Sequence, residues 1–151
     1  MTSTPTTSES HLQLDAQLCF ALYAASRSMT AVYRPLLEPL GLTYPQYLVM
    51  LVLWQRDGQS VRELGASLLL DSGTLTPLLK RLQSAGLLNR QRRQQDEREV
   101  EINLTEAGRQ LREQARGIPG CIADRLGMPI DQIIALRTEL HSLISRLTPT
   151  A

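Results

Sequence analysis

Between Leu70 and Thr105 a helical periodicity gives way to a strand periodicity, and that junction constrains the fold more than anything else in the chain. Leu75, Leu78, Leu79 and Leu82 recur at i, i+3, i+4 and i+7, so a helix starting near Ser72 carries one apolar face that must pack on something. Gly86 ends it. The period then becomes two: Val100, Ile102 and Leu104 alternate with Glu99, Glu101 and Asn103. Leu88–Arg92 and Arg98–Leu104 can therefore pair as a hairpin around the loop 93–97.

The opposite face of that helix holds Ser72, Gly73, Thr76, Lys80 and Gln83, small or hydroxyl-bearing groups followed by a cation, which permits close approach to a polyanion. A net charge of +1 over 151 residues would argue against nucleic acid if it were evenly spread. It is not. Lys80, Arg81, Arg90, Arg92, Arg93 and Arg98 face only Asp96 and Glu97 between Ser72 and Arg98, so this stretch is positive and the remainder negative. A helix for the major groove beside a basic hairpin tip for the minor groove is a winged helix-turn-helix. Ser72, Thr74, Thr76 and Lys80 are the candidate groove contacts, Arg81 a phosphate contact, and Arg92 and Arg93 sources of phosphate attraction. The bland alternative for the cations is a solvated surface.

The flanks read as helices. MTSTPTTSES offers nothing to bury, and 1–11 is expected to be a flexible tail. Leu14, Leu18, Leu22, Ala25, Met29 and Val32 predict a long helix over 12–33, after which Pro35 and Pro39 break the chain and Gly41 closes it. Thr43 with Gln46 and Ser60 with Glu63 are capping boxes that open helices ending near Arg56 and Leu69. Pro77 predicts a kink in the reading helix. Thr105 caps a helix to about Arg116, and Gly117, Pro119 and Gly120 are expected to loosen the backbone before Cys121. Pro129 opens a last helix to Leu147, with Ile133, Leu136, Leu140, Leu143, Ile144 and Leu147 on one face. The expected fold is mainly α with a small β-wing. One domain spans 12–151, with the winged helix-turn-helix at 43–105 and dimerisation or sensing helices at 12–42 and 106–147.

Several classes are disfavoured. The longest apolar run, Leu48–Trp54, is far short of the ~20 residues of a membrane span, and without a basic, then apolar leader the expected location is cytoplasmic. There Cys19 and Cys121 would not form a permanent structural disulfide. His11 and His141 are isolated, so no metal site is expected; no Gly-rich loop, CxxC or Ser-His-Asp grouping suggests a cofactor or an enzyme. Cys19, between Leu18 and Phe20, reads either as a small buried hydrophobe or as a reactive thiol. Tyr33 and Tyr44 are likewise either core aromatics or hydroxyl donors.

The segments LDAQLCFALY, GLTYPQYLVMLVLW, LDSGTLTPLLKRL and DERxVxIxLTxxG resemble, in order and spacing, the MarR family of regulators and within it the organic hydroperoxide sensor (OhrR) subfamily. The resemblance covers nearly the whole chain after the tail. It implies a homodimeric repressor on pseudo-palindromic double-stranded operator DNA, with no cofactor and organic hydroperoxides as effector. Cys19 would be the peroxide-reactive residue, Tyr33 and Tyr44 its hydrogen-bond donors, and Cys121 of the other subunit the partner in an intersubunit disulfide. Asp96 and Arg98 match a D-x-R wing motif in which the Arg enters the minor groove and the Asp orients it. Met128 departs from the helix-capping residue expected before Pro129. A regulator responding to a small phenolic ligand and a thiol peroxidase are the competing readings.

Overall fold

The computed structural model describes residues 10–96 and 98–149, and most of the expected N-terminal tail lies outside them. Ser10–Leu12 is a single 3-10 turn followed by another at Leu14–Ala16, so His11 belongs to a turn rather than to a tail. The chain divides into two compact units, Met1–Arg116 and Gly117–Ala151.

In the first unit, α1 spans Leu18–Leu37. It begins later than expected because Gln17 is extended, at φ −89° and ψ 116°. Nor does Pro35 break it: Pro35 sits in the last turn, where few residues remain to be displaced. The stop comes instead from a 3-10 turn at Glu38–Leu40 and a left-handed Gly41, with the Leu42 N–H donating back to Leu37 at 3.2 Å.

Both capping boxes form as expected. Thr43 accepts from the Gln46 N–H while Gln46 accepts from the Thr43 N–H, opening α2 (Tyr44–Gln55). Ser60 and Glu63 do the same for α3 (Val61–Leu68), each Ser or Thr cap contributing about 1 kcal/mol. Tyr47, Val49, Met50 and Leu53 are all buried, so α2 is apolar around most of its circumference and forms the centre of the core. The turn after α3 passes through Leu69 at φ 56°, an uncommon conformation for a residue with a side chain.

The reading helix, α4, spans Ser72–Ser84 and continues through Pro77. Leu75, Leu79 and Leu82 are fully buried, each worth roughly 1.5–3 kcal/mol of transfer free energy. Gly86, at φ 76°, reverses the chain while Gly86 and Leu87 donate to Gln83 and Leu82. The hairpin follows: β2 (Leu88–Arg92) pairs antiparallel with β3 (Val100–Leu104), Leu88 opposite Leu104 and Arg92 opposite Val100. A third strand, β1 (Gln59–Ser60), pairs with the other edge of β3. Two residues are too short to show a periodicity, so β1 escaped sequence reading. Thr105 caps α5 (Glu106–Ala115) by accepting from the Gly108 N–H at 3.1 Å.

In the second unit the backbone before Cys121 is not loose. It is helix α6, Ile118–Leu126. Pro119 occupies the first turn, where its missing N–H costs nothing, and Gly120 is simply absorbed. Pro129 is the N-cap of α7 (Ile130–Leu147) rather than its first helical residue. None of α7 is buried within the chain, and Ile130, Leu136 and Leu147 on it are conspicuously exposed.

Candidate functional site

Two regions of the first unit gather the candidate residues. The first is a groove of about 870 Å³ between α3, the start of α4 and the wing. Ser72 and Thr76 line it from α4, Asp96 and Arg98 from the wing, and Arg62 and Arg90 join them. Ser72, Thr74 and Arg98 are exposed and Thr76 is half-buried. Lys80 and Arg81 are exposed further along α4, outside this groove, and Arg92 lines a separate polar depression beside the wing loop.

Sequence reading missed Arg62, Arg90 and the cap of α4. That cap is Asp71, whose carboxylate accepts from the Thr74 N–H at 2.7 Å, a bond that holds its pKa below the ordinary aspartate value. One helix N-terminal donor is thus already occupied by an anion. Arg90 lines the groove, and its buried Nε has no partner among the described residues.

At the wing tip, Asp96 accepts from the main-chain N–H of Arg98 at 3.0 Å and its carbonyl accepts from Glu99 at 3.0 Å. Asp96 therefore shapes the turn that carries Arg98, through the backbone rather than the guanidinium. Arg93, the other expected source of phosphate attraction, pairs with Glu99 at 2.9 Å, Glu101 at 3.1 Å and Glu63 at 3.4 Å.

The second region is aromatic. Tyr33, near the end of α1, meets Tyr44 in the first turn of α2 with ring centroids 4.7 Å apart, and Tyr47 stands 5.6 Å from Tyr33. Tyr47, three positions after Tyr44 and so on the same helical face, was absent from the sequence-based set although that spacing could have found it. Burial, then the neighbouring phenols of Tyr44 and Tyr47, push the Tyr33 pKa up to about 12; burial raises Tyr44 as well. These hydroxyls stay protonated at neutral pH and are available as donors.

A titration follows from this. The Tyr33 pKa is raised on folding, so its stabilising contribution is complete below pH 10 and lost as pH rises toward 12. A tyrosinate absorbance titration should show a late step that Tyr33→Phe removes. A wild-type titration complete near pH 10 would contradict the buried arrangement.

Cys19 lies in the first turn of α1 and Cys121 in α6, both exposed and with free thiols. Cys19 and Tyr33 are fourteen positions apart on one continuous helix, which separates them by about 21 Å along its axis. The structure thus brings the two tyrosines together but keeps them away from the cysteine of their own chain. Among the described residues no group of three or more His, Cys, Asp or Glu side chains is arranged to hold a metal ion.

Residues 31–114 match the family of transcriptional regulators described as SarA/Rot. The chain is 47% identical to the organic hydroperoxide resistance transcriptional regulator of Bacillus subtilis, over 91% of this chain and 93% of that one. Reduced AbfR bound to DNA superimposes with a TM-score of 0.77 at 36% identity, covering 93% of this chain and 98% of that one. Disulfide-formed AbfR, whose source is Staphylococcus epidermidis, gives a TM-score of 0.64 at 37% identity, covering 91% and 96%.

Proposed function

This chain belongs to the MarR/SarA family of winged-helix transcriptional regulators, and we propose that it is a homodimeric repressor that releases operator DNA when an organic hydroperoxide oxidises Cys19. The observation that supports this reading is the Tyr33–Tyr44 pair, with ring centroids 4.7 Å apart and Tyr33 about 21 Å along α1 from Cys19 of its own chain. In the proposed dimer a second protomer supplies the Cys19 that meets them. Exposed Leu14, Leu18 and Phe20 near the start of α1, and exposed Ile134, Leu136 and Ile144 on α7, are the apolar surface such a protomer would cover.

In this arrangement Cys19 of one protomer lies against Tyr33 and Tyr44 of its partner, whose O–H groups donate to the sulfur and favour thiolate. The thiolate attacks the O–O bond of the hydroperoxide. The alkoxide leaves and takes up a proton to become the alcohol, and the sulfur becomes a sulfenic acid. The Cys121 thiol of the partner then attacks that sulfur, forming the disulfide and releasing water. The two electrons that reduce the hydroperoxide to alcohol and water come from the two thiols as they become the disulfide. AbfR, similar in fold and sequence, is known in reduced DNA-bound and disulfide forms, and the relative from Bacillus subtilis is named for organic hydroperoxide resistance.

On DNA, α4 enters the major groove with Ser72, Thr74 and Thr76 toward base edges, while Lys80, Arg81 and Arg92 approach phosphates. Arg98 on the wing reaches the minor groove. The two reading heads of a dimer must sit about 34 Å apart to match a pseudo-palindromic operator, so a modest rigid-body shift abolishes binding.

The test is the affinity of reduced protein for the intergenic DNA beside its own gene, at fixed salt, before and after one equivalent of an organic hydroperoxide. Affinity should fall by about 100-fold, near the upper range of allosteric coupling, and return with dithiothreitol. Tight binding indifferent to peroxide would overturn the redox reading and move the effector question to small phenolic ligands.

A further inference from the structure

Arg93 sits where the wing joins the helix-turn-helix, and its surroundings are unusual for a protein that approaches a polyanion. Three carboxylates converge there: Glu99 and Glu101 from the wing and its flank, and Glu63 from the first turn of α3. The same Glu63 oxygen accepts from the Ser60 N–H at 2.9 Å and lies 3.7 Å from Arg56, so the capping box of α3 and the wing root share one anion. The Ser60 backbone, in turn, pairs with Glu101 across β1 and β3. The Arg93 main chain closes the hairpin by donating to the Glu99 carbonyl at 2.8 Å. The Arg93 side chain is about three-quarters buried, more than any of its three partners.

We propose that Arg93 is a positioning residue for DNA binding: by joining Glu63, Glu99 and Glu101 at one guanidinium it fixes the wing against α3 and cancels a carboxylate cluster that would otherwise repel DNA. The inference rests on the DNA-binding reading above and deepens it. Arg93 does not touch phosphate. Each of its three nitrogens donates to one of these carboxylates, in a planar fork that a lysine cannot reproduce. Without it, three like charges at close quarters splay the root of the hairpin, and Asp96 and Arg98 at the tip lose their fixed reach.

Arg93→Gln should weaken operator binding by about tenfold, within the range of coupling seen for residues in one charge network. Adding Glu99→Gln and Glu101→Gln should restore affinity to within about threefold of the protein carrying those two changes alone. Because no phosphate contact is lost, the slope of log affinity against log salt should not change on Arg93→Gln, whereas losing a direct contact would reduce it by about 0.9. Amide hydrogen exchange of β2 and β3 without DNA gives an independent reading: faster in Arg93→Gln and restored in the triple variant. A reduced salt slope, or a loss of affinity unrelieved by the two glutamines, would assign Arg93 to phosphate instead. Unaltered exchange in Arg93→Gln would also overturn the proposal, and wild-type protein that binds no DNA would mark failure of the underlying reading rather than of the wing anchor.

Discussion

Cys19→Ser is expected to hold operator DNA within about twofold of the wild-type affinity and to keep holding it after organic hydroperoxide, where the wild-type protein loses about 100-fold. Serine matches the size of the thiol and can accept the same phenolic hydrogen bonds, so the reduced dimer should be little disturbed. It cannot perform the chemistry, because a hydroxyl is not deprotonated near neutral pH and does not attack an O–O bond. Cys121→Ser should behave differently. Cys19 would still be oxidised, but its sulfenic acid would persist until a small thiol or a second peroxide reacted with it. Mass spectrometry of the two variants after one equivalent of oxidant would separate the cases. If Cys19→Ser still released DNA on oxidation, the thiol mechanism would fail whatever the fate of Cys121.

The second large effect is on stability. Gly108→Ala should destabilise the fold by roughly 3 kcal/mol or more, in the class of severe steric substitutions. A Cβ there would stand 2.1 Å from the Leu87 carbonyl oxygen and 3.2 Å from Leu104, and a backbone carbonyl cannot swing aside as a flexible side chain can. That carbonyl is also the acceptor for the Thr105 N–H at 3.1 Å, and Gly108 accepts from the Trp54 indole at 2.8 Å. Moving α5 away would break the cap, the wing root and the tie to α2 together. Gly120→Ala is the control. Nothing lies within 4 Å of its would-be Cβ, and within α6 alanine should gain up to about 1 kcal/mol. Thermal melts of the three proteins decide it, and a Gly108→Ala melt equal to wild type would show that the close approach of α5 to Leu87 is relaxed at little cost.

Most of the helical framework was legible because its signals are local. Thr43 with Gln46 and Ser60 with Glu63 each satisfy helix-end groups within four residues, and both helices begin where those pairs demand. The alternation of Val100, Ile102 and Leu104 likewise fixed the hairpin, since a slip of one residue would turn its apolar side to water. Prolines were read less well. Pro35 and Pro119 suggested breaks, yet one stands in the last turn of α1, where the helix is about to end, and the other in the first turn of α6, where its missing N–H costs nothing. The placement of a proline within a helix depends on where the helix ends, and that is set by packing.

By itself, then, the sequence determined what short-range physics controls: the two capping boxes, the apolar faces, the existence of the hairpin, though its second strand starts at Val100 and not at Arg98, and the concentration of positive charge between Ser72 and Arg98. Tertiary structure alone decided the arrangements that join distant residues. It tied Arg93 to Glu63, thirty positions away, set Arg90 and Arg62 beside the reading helix, and paired Tyr33 with Tyr44 while one continuous helix held Cys19 far from Tyr33. An ion pair or an aromatic contact carries no periodicity along the chain, because its partners are chosen by how the elements pack and not by their spacing in sequence.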